Sequence, residues 1–592
     1  MTGKLRPELY RLVPAQATLD APTASSTVPV SGDDVIRAIG TIVALFALVL
    51  CCAAEEVLPV IVTPKVNPSS LYIVRFDRWT DADERGFGEF VTSIGESDCA
   101  TVDRCLHGIG NPFRASDPIG IYFRSDCADL PYVLRFYYAW KRGLPFAYVS
   151  NVEPRGHTRD IRYTARGNAV AERVTVQGGG ASGYATMETL RGTISSATFR
   201  IHPDLEQPLP QDFYSPTIQP GSIRPGTVIY DPNGHLAIVY RVEPDGRIHF
   251  LDAHPDNALT RGYYDLRFVR ASPGMGAGFK NWRPLTLVGA TRSADGTFSG
   301  GHVVVAPNAA IAGFSDEQFF GNGPRPADDS DWRQGAFTLN GQSMDYYDYV
   351  RARLAGGQLA FDPIREVRDM VDSNCADLHY RADAVTLAAA AGIMNAPEPS
   401  RLPPNIYGTE GDWETYSSPS RDARLKTAFK EVRDSVQRFM AMYQAGDKRL
   451  KYAGQNLAVD MLTTYDRAAA LCKIGYARSD GSQVAFGYED GRKRLFAMSF
   501  DPYHCVERRW GAADPRELAT CRDGAAKRAW YAAEQGLRNQ LERTYDVPMG
   551  FSLAELNAHV PGSGVAVPPD TDVRTYLWTM RNAARGTGTR TN

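Results

Sequence analysis

A cysteine, a histidine and an acid stand in this chain in an order that could perform thiol chemistry. Cys127 lies in Ser125-Asp126-Cys127-Ala128-Asp129-Leu130-Pro131-Tyr132. His235 follows Gly234 at the head of Leu236-Ala237-Ile238-Val239-Tyr240. Asp252 and His254 close the run His249-Phe250-Leu251-Asp252-Ala253-His254. A thiol attacks as its thiolate, an imidazole can take its proton, and an acid or a second imidazole can fix the tautomer of that ring. Cys127 is therefore the candidate nucleophile and His235 the candidate general base and acid. Asp252, with His254 ranked behind it, is the candidate orienting group. Tyr122, just upstream of the cysteine, is a candidate oxyanion donor, although a core aromatic is the plainer reading.

These residues need a helix and a hairpin to position them. Leu130, Val133, Leu134, Tyr137 and Tyr138 fall at helical spacing and predict a helix buried on one side. Ser125 or Asp126 can cap its start and Gly143 can stop it. Cys127 then sits at the helix N-terminus, where the dipole is expected to lower its pKa. Residues 225–230, 235–242 and 247–252 read as strands, with a turn at Glu243-Pro244-Asp245-Gly246 between the last two. A four-residue turn sets Val242 opposite Arg247. His235 then faces position 489 − 235 = 254, with Asp252 diagonal on the same face. A one-residue slip would move both to the opposite face. His249 is expected to face away from His235.

Asp126-Cys127, the aromatic helix and Gly143-Leu144-Pro145 resemble the nucleophile segment of NlpC-type papain-like cysteine peptidases. Arg224-Pro225-Gly226-Thr227-Val228 with Gly234-His235-Leu236-Ala237-Ile238-Val239 is similar to the histidine strand of that superfamily. The resemblance implies a Cys127, His235, Asp252 (or His254) triad, and cleavage of peptide bonds in bacterial cell-wall peptides outside the cytoplasm. Two features depart from the pattern. Ala128-Asp129 replaces the usual Ser-Gly, and 235 − 127 = 108 residues separate cysteine from histidine, leaving an insertion around residues 166–219. The Cys-Ala-Asp-Leu segment ending in Gly-Leu-Pro also resembles bacterial transglutaminase-like domains, which implies acyl transfer as an alternative. The resemblance covers residues 70–287 at most.

The 592 residues exceed what one core organises, so two or more domains are expected. A formal charge of −3 and the lack of a basic block exclude an electrostatic case for nucleic acid. Residues 1–37 read as a disordered leader. Residues 38–54 form an apolar run at the short limit for a span, preceded by Lys4, Arg6, Arg11 and Arg37. That pattern predicts export, by an anchor or a signal peptide. Cys51 and Cys52 suggest a lipoprotein site, though Leu48-Val49-Leu50 lacks the small residue expected before it. The remaining seven cysteines are an odd number. Cys99 and Cys105 can pair locally, and Cys375, Cys472, Cys505 and Cys521 can form two bridges, leaving Cys127 free.

The fold class expected is α+β: a papain-like domain over residues 70–287, a linker over 288–335 with one strand at 302–305, and a mainly helical domain over 336–581. Helices are expected at residues 346–354, 363–392, 420–442, 457–472 and 522–545. A hairpin turning at Asp480-Gly481 interrupts them, with a third strand at 494–500. Residues 582–592 read as a disordered tail. Asn374-Cys375-Ala376-Asp377-Leu378-His379-Tyr380 echoes the Cys127 segment, but no Gly-His strand pair follows it, so Cys375 reads as structural. No histidine pair has a short metal-ligand spacing, and Gly178-Gly179-Gly180 lacks the Lys-Ser/Thr of a phosphate loop, so neither metal nor cofactor is expected. The partners expected are a peptide or peptidoglycan-like substrate and the membrane through residues 38–54. A non-catalytic envelope scaffold of the same fold is the competing reading.

Overall fold

Six antiparallel strands form the sheet that holds the candidate site. They are drawn from β1 (Ala147–Pro154), β2 (Asn168–Thr175), β3 (Phe213–Tyr214), β4 (Val228–Asp231), β5 (His235–Val242), β6 (Ile248–Ala253), β7 (Leu259–Tyr263) and β8 (Gly278–Trp282). The order is β3-β8-β4-β5-β6-β7, while β1 and β2 form a separate two-stranded sheet. This computed structural model describes residues 70–587 except 159, 255–256, 409–410, 543 and 545–546. The leader, the apolar run at 38–54 with Cys51 and Cys52, and the last five residues lie outside the described residues. Among the described residues no helix is long and apolar enough to cross a membrane.

Alternation along the strands buries both faces of the sheet. Val228, Tyr230, Leu236, Ile238 and Leu251 join a core with helices α1 (Asp81–Gly95) and α2 (Leu130–Arg142). Ile229, Ala237, Val239, Phe250 and Phe279 join a second core with helix α3 (Tyr346–Leu354). The helix after Cys127 is buried all round, not on one side as its stripe suggested, with every residue from Leu130 to Lys141 inside. Its polar residues are tolerated because partners wrap it. Arg135 pairs with Glu84 at 2.5 Å and lies 3.4 Å over the Trp79 ring. Lys141 pairs with Asp117 at 2.6 Å, and the Tyr132 hydroxyl donates to Asp212 at 2.6 Å. Gly143 ends the helix at φ +73°, the left-handed turn its lack of a Cβ permits.

The hairpin β5–β6 corrects the expected register and then restores it. Next to the turn Val242 pairs with Ile248 and Arg241 with His249, one residue off the expected pairing. An irregularity between Val239 and Arg241 absorbs the extra residue, so that Val239 pairs with Phe250 and Ile238 with Leu251, on the expected sum of 489. The slip is therefore confined to the turn end, and His235 keeps its relation to Asp252.

The second half is built on α4 (Pro363–Ala390), α5 (Pro419–Gln444) and α6 (Leu457–Leu471), followed by the hairpin β9 (Lys473–Ala477) and β10 (Gln483–Gly487). Two expectations fail here. Residues 488–494 form a helix whose N-terminus carries Glu489 and Asp490, and residues 494–500 form no strand; Arg494 instead pairs with Glu517 at 2.6 Å. The helix expected over 522–545 is broken into Ala525–Ala533 and Gln535–Asn539, with Glu534 buried between them. Residues 288–335 are not a free linker. His302–Val305 pairs with Leu285–Val288, and Gln318 is buried against Ser215 and Phe279. Arg267 reaches Asp377 at 2.9 Å, Arg247 reaches Asp369 at 2.7 Å and Arg365 reaches Glu243 at 2.6 Å, so both halves belong to one compact unit. Disulfides join Cys99 to Cys105, Cys375 to Cys472 and Cys505 to Cys521. Cys127 is the free cysteine of the described residues. Cys375 lies in the middle of α4, not ahead of a helix, which removes the likeness between the two Cys-Ala-Asp segments.

Candidate active site

Asp126 shapes the start of the Cys127 turn. Its side chain accepts from the Ala128 and Asp129 N–H groups at 2.8 and 3.2 Å, and its carbonyl accepts from Leu130 N–H. Asp129 returns the bond by accepting from Asp126 N–H at 3.0 Å and from the Ser125 hydroxyl. Cys127 thus lies in a turn just ahead of α2, whose N-cap is Asp129 and not Ser125 or Asp126 as the sequence suggested. Its thiol, half-buried, points at the Gly234 carbonyl at 3.9 Å, and the Leu236 N–H also faces the sulfur. These are the peptide groups on either side of His235. Gly234 sits at φ +88° in a turn closed by its N–H onto the Asp231 carbonyl at 3.0 Å. A Cβ there would meet the Tyr163 hydroxyl at 3.2 Å, so glycine suits both the backbone and the space.

His235 Nε2 donates to Asp252 Oδ2 at 2.8 Å. The other Asp252 oxygen accepts from the Thr260 hydroxyl, which in turn accepts from His254 Nε2 at 2.9 Å. Only one assignment satisfies these contacts: both imidazoles carry a proton on Nε2, Thr260 donates to Asp252, and Asp252 is ionised. The Nδ1 lone pair of His235 is then the one available to take a proton. Burial opposes ionisation of Asp252, but the neighbouring His254 and His235 and the bonds from His235 and Thr260 outweigh it and hold the carboxyl well below its usual range. Burial lowers His254 to about 3, against the pull of Asp252, and keeps it neutral.

The thiol departs from expectation. Burial, then the adjacent Asp126 carboxylate, push its pKa up; Asp252 and Asp129 add to this, and the Leu236 N–H only partly offsets it. Burial dominates, the Asp126 carboxylate reinforces it, and the turn ahead of the helix supplies no compensating depression. Burial and Asp126 also push Asp129 up to about 8. Nor is the thiol–imidazole hydrogen bond made among the described residues: the sulfur meets the strand at its backbone. His235 and Asp252 share the strand parity of Ala237 and Phe250, and the His235 ring lies 6.2 Å from that of Phe268, in the second core.

Tyr122 is not brought to the thiol by any described contact. Its ring is 45% exposed beneath the Arg124 guanidinium, and its carbonyl accepts from Tyr184. His249 turns away as expected and bonds Glu243 at 2.6 Å. Sequence reasoning missed Thr260 and the contribution of the second half. Thr260 pairs directly with Asp252 across β6 and β7, and the Pro255-Asp256-Asn257 sequence ahead of β7 is the signal that could have found it. Tyr380 of α4 stacks on His254 with ring centroids 3.8 Å apart, and Arg421 of α5 donates to the Tyr380 hydroxyl at 2.6 Å. A cavity of about 50 Å³ lined by His235, Asp252, His254, Thr260, Tyr380 and Arg421 remains at this junction. A larger cavity of about 590 Å³ lies between the halves, beside Arg247, Tyr263, Phe361 and Arg438, and Cys127 does not line it.

A scan with protein-family models finds no match to this chain, and searches of curated proteins and of solved structures find none either.

Proposed function

We propose that the chain is an exported, membrane-tethered thiol hydrolase of papain-like fold, acting on amide bonds in peptides of the cell-wall type. One observation carries this reading. The one free described cysteine lies in the turn that leads into α2, against the two peptide groups flanking a histidine whose Nε2 is held by a buried aspartate. The three disulfides favour an oxidising compartment and so an exported chain.

In this mechanism the thiol is protonated at rest, so His235 takes its proton during attack and not beforehand. The Cys127 sulfur bonds to the substrate carbonyl carbon as its proton passes to His235 Nδ1. Asp252 stabilises the imidazolium through Nε2, and the Cys127 N–H meets the oxyanion. Collapse expels the amine, which takes the proton from His235. Water, activated by the same ring, then hydrolyses the thioester and frees the sulfur. For this step the His235 ring, which packs on the Phe268 face of the sheet while the sulfur packs against the other core, has to swing around the end of β5 to reach the thiol.

The raised thiol pKa and the cover that Tyr380 places on His254 favour a second reading, a non-catalytic envelope scaffold of the same fold. An iodoacetamide-based probe on the folded, disulfide-intact protein separates them. Hydrolase chemistry gives labelling that is lost in Cys127→Ala, slowed in His235→Ala and retained in Cys375→Ala. No labelling, or labelling indifferent to His235, leaves the scaffold. Product analysis with and without an added amine then separates hydrolysis from transfer.

A further inference from the structure

A second set of titratable groups meets in the C-terminal half, on three segments distant in sequence. Asp501 and His504 share one turn, closed by the Tyr503 N–H on Asp501 Oδ1 at 2.7 Å. Glu534 lies at the break between the Ala525–Ala533 and Gln535–Asn539 helices, and Glu398 comes from the loop after α4. Asp501, His504 and Glu534 are each 0% exposed, and their ligand-capable atoms lie within 4.8 Å of one another. Both oxygens of Glu534, both of Glu398 and Asp501 Oδ2 are buried without a hydrogen-bond donor.

A buried carboxylate oxygen left without a partner is costly, and this cluster is satisfied either by a positive centre or by protons shared between its carboxyl groups. The nearby cations supply positive charge only in part. Arg538 approaches Glu534 at 3.6 Å but spends hydrogen bonds on the Tyr531 carbonyl and Gln535. The Lys527 ammonium is held by the Met394 and Tyr503 carbonyls. Arg508 is paired with Asp523 at 3.3 Å. His504 donates Nε2–H to the Lys527 carbonyl at 3.0 Å, which leaves Nδ1 as an acceptor, now bonded by the Ser499 hydroxyl at 2.7 Å and 4.0 Å from Glu534. The Cys505–Cys521 disulfide staples the His504 turn to the segment carrying Asp523, whose carboxylate accepts from Cys505 N–H. The cage is thus preformed, and its sulfurs are bonded to each other and are not ligands.

We propose that Glu398, Asp501 and Glu534 bind one divalent cation, with His504 Nδ1 as a fourth ligand when it turns from Ser499. The cation ties the loop after α4, the Asp501–His504 turn and the C-terminal helices together. Carboxylates alone suit Ca²⁺, whereas recruitment of His504 suits Mn²⁺ or Zn²⁺. No short histidine spacing signalled the site, because the ligands come from three separated segments.

The test uses the full chain, stripped with EDTA and titrated calorimetrically with CaCl₂, MnCl₂ and ZnCl₂, with melting followed in parallel. One equivalent of at least one ion should bind and raise the melting temperature. Glu534→Gln and Asp501→Asn should each weaken binding at least tenfold, and His504→Gln should weaken Mn²⁺ and Zn²⁺ but not Ca²⁺. Failure of all three ions to bind or to shift the melt overturns the proposal and leaves the carboxyl groups sharing protons. So does binding that survives both acidic variants. Should the variants not fold, the effect of each ion on the melting of the EDTA-stripped wild type decides.

Discussion

His254 should make this protein acid-labile in a pH range that carboxylates do not explain. It is buried, lowered to about 3, and lies between the Thr260 hydroxyl and the Tyr380 ring. In the unfolded chain it regains a pKa near 6.5, so below that pH the unfolded state binds a proton that the folded state refuses. Stability from this group is complete above pH 6.5 and is lost as pH falls toward 3. Between pH 7 and pH 4 the loss is about 1.36 × 2.5, or roughly 3 kcal/mol. The Asp252 carboxyl, also depressed, contributes in the same direction, but only below its unfolded value of about 3.9. His254→Gln keeps a side-chain N–H for Thr260, loses the ring stack and does not titrate. The stack should cost about 1 kcal/mol at every pH. The assay is urea unfolding of wild type and variant at pH 7, 6, 5 and 4. Other buried histidines, such as His249, contribute equally to both proteins, so the difference between the two curves isolates His254. The variant should start less stable at pH 7 and gain on the wild type by roughly 3 kcal/mol at pH 4. Parallel curves would refute the assignment of a buried neutral imidazole.

Asp252→Asn offers one acceptor where His235 and Thr260 both donate. Loss of that charge-assisted bond, worth about 2 kcal/mol, should slow thiol labelling or turnover roughly 30-fold, with a change of His235 tautomer visible by nitrogen NMR. Asp126→Asn keeps the capping oxygen but removes the carboxylate beside the sulfur, and should speed alkylation of Cys127 at pH 8 by about tenfold; an unchanged rate would show that burial alone raises the thiol. Opening the Cys375–Cys472 disulfide, which spans 97 residues, should cost about 4.7 kcal/mol, and opening Cys99–Cys105, which spans six, about 2 kcal/mol, as read by chemical denaturation of Cys→Ser pairs.

Much of the local architecture could be read along the chain. Residue type and spacing decide where Cys127 sits, because Asp126 and Asp129 hold the turn with their own side chains and Gly143 is free to adopt a positive φ. Strand alternation likewise places Asp252 beside His235, and the odd number of cysteines points to one free thiol. What depends on groups far apart in sequence was out of reach. The irregularity beside Tyr240 rescues a register that the turn had shifted. The thiol pKa depends on how much water and how many carboxylates surround the sulfur, which local motif cannot specify. Tyr380 and Arg421 reach the His254 side only because the second face of the sheet requires cover. Asp501, His504 and Glu534 meet through packing between the 501–504 turn and the C-terminal helices, with the unpartnered Glu398 carboxyl contributed by a third segment. Local capping and periodicity are short-range forces legible in order along the chain; desolvation and charge pairing are set by neighbours that only the folded chain brings together.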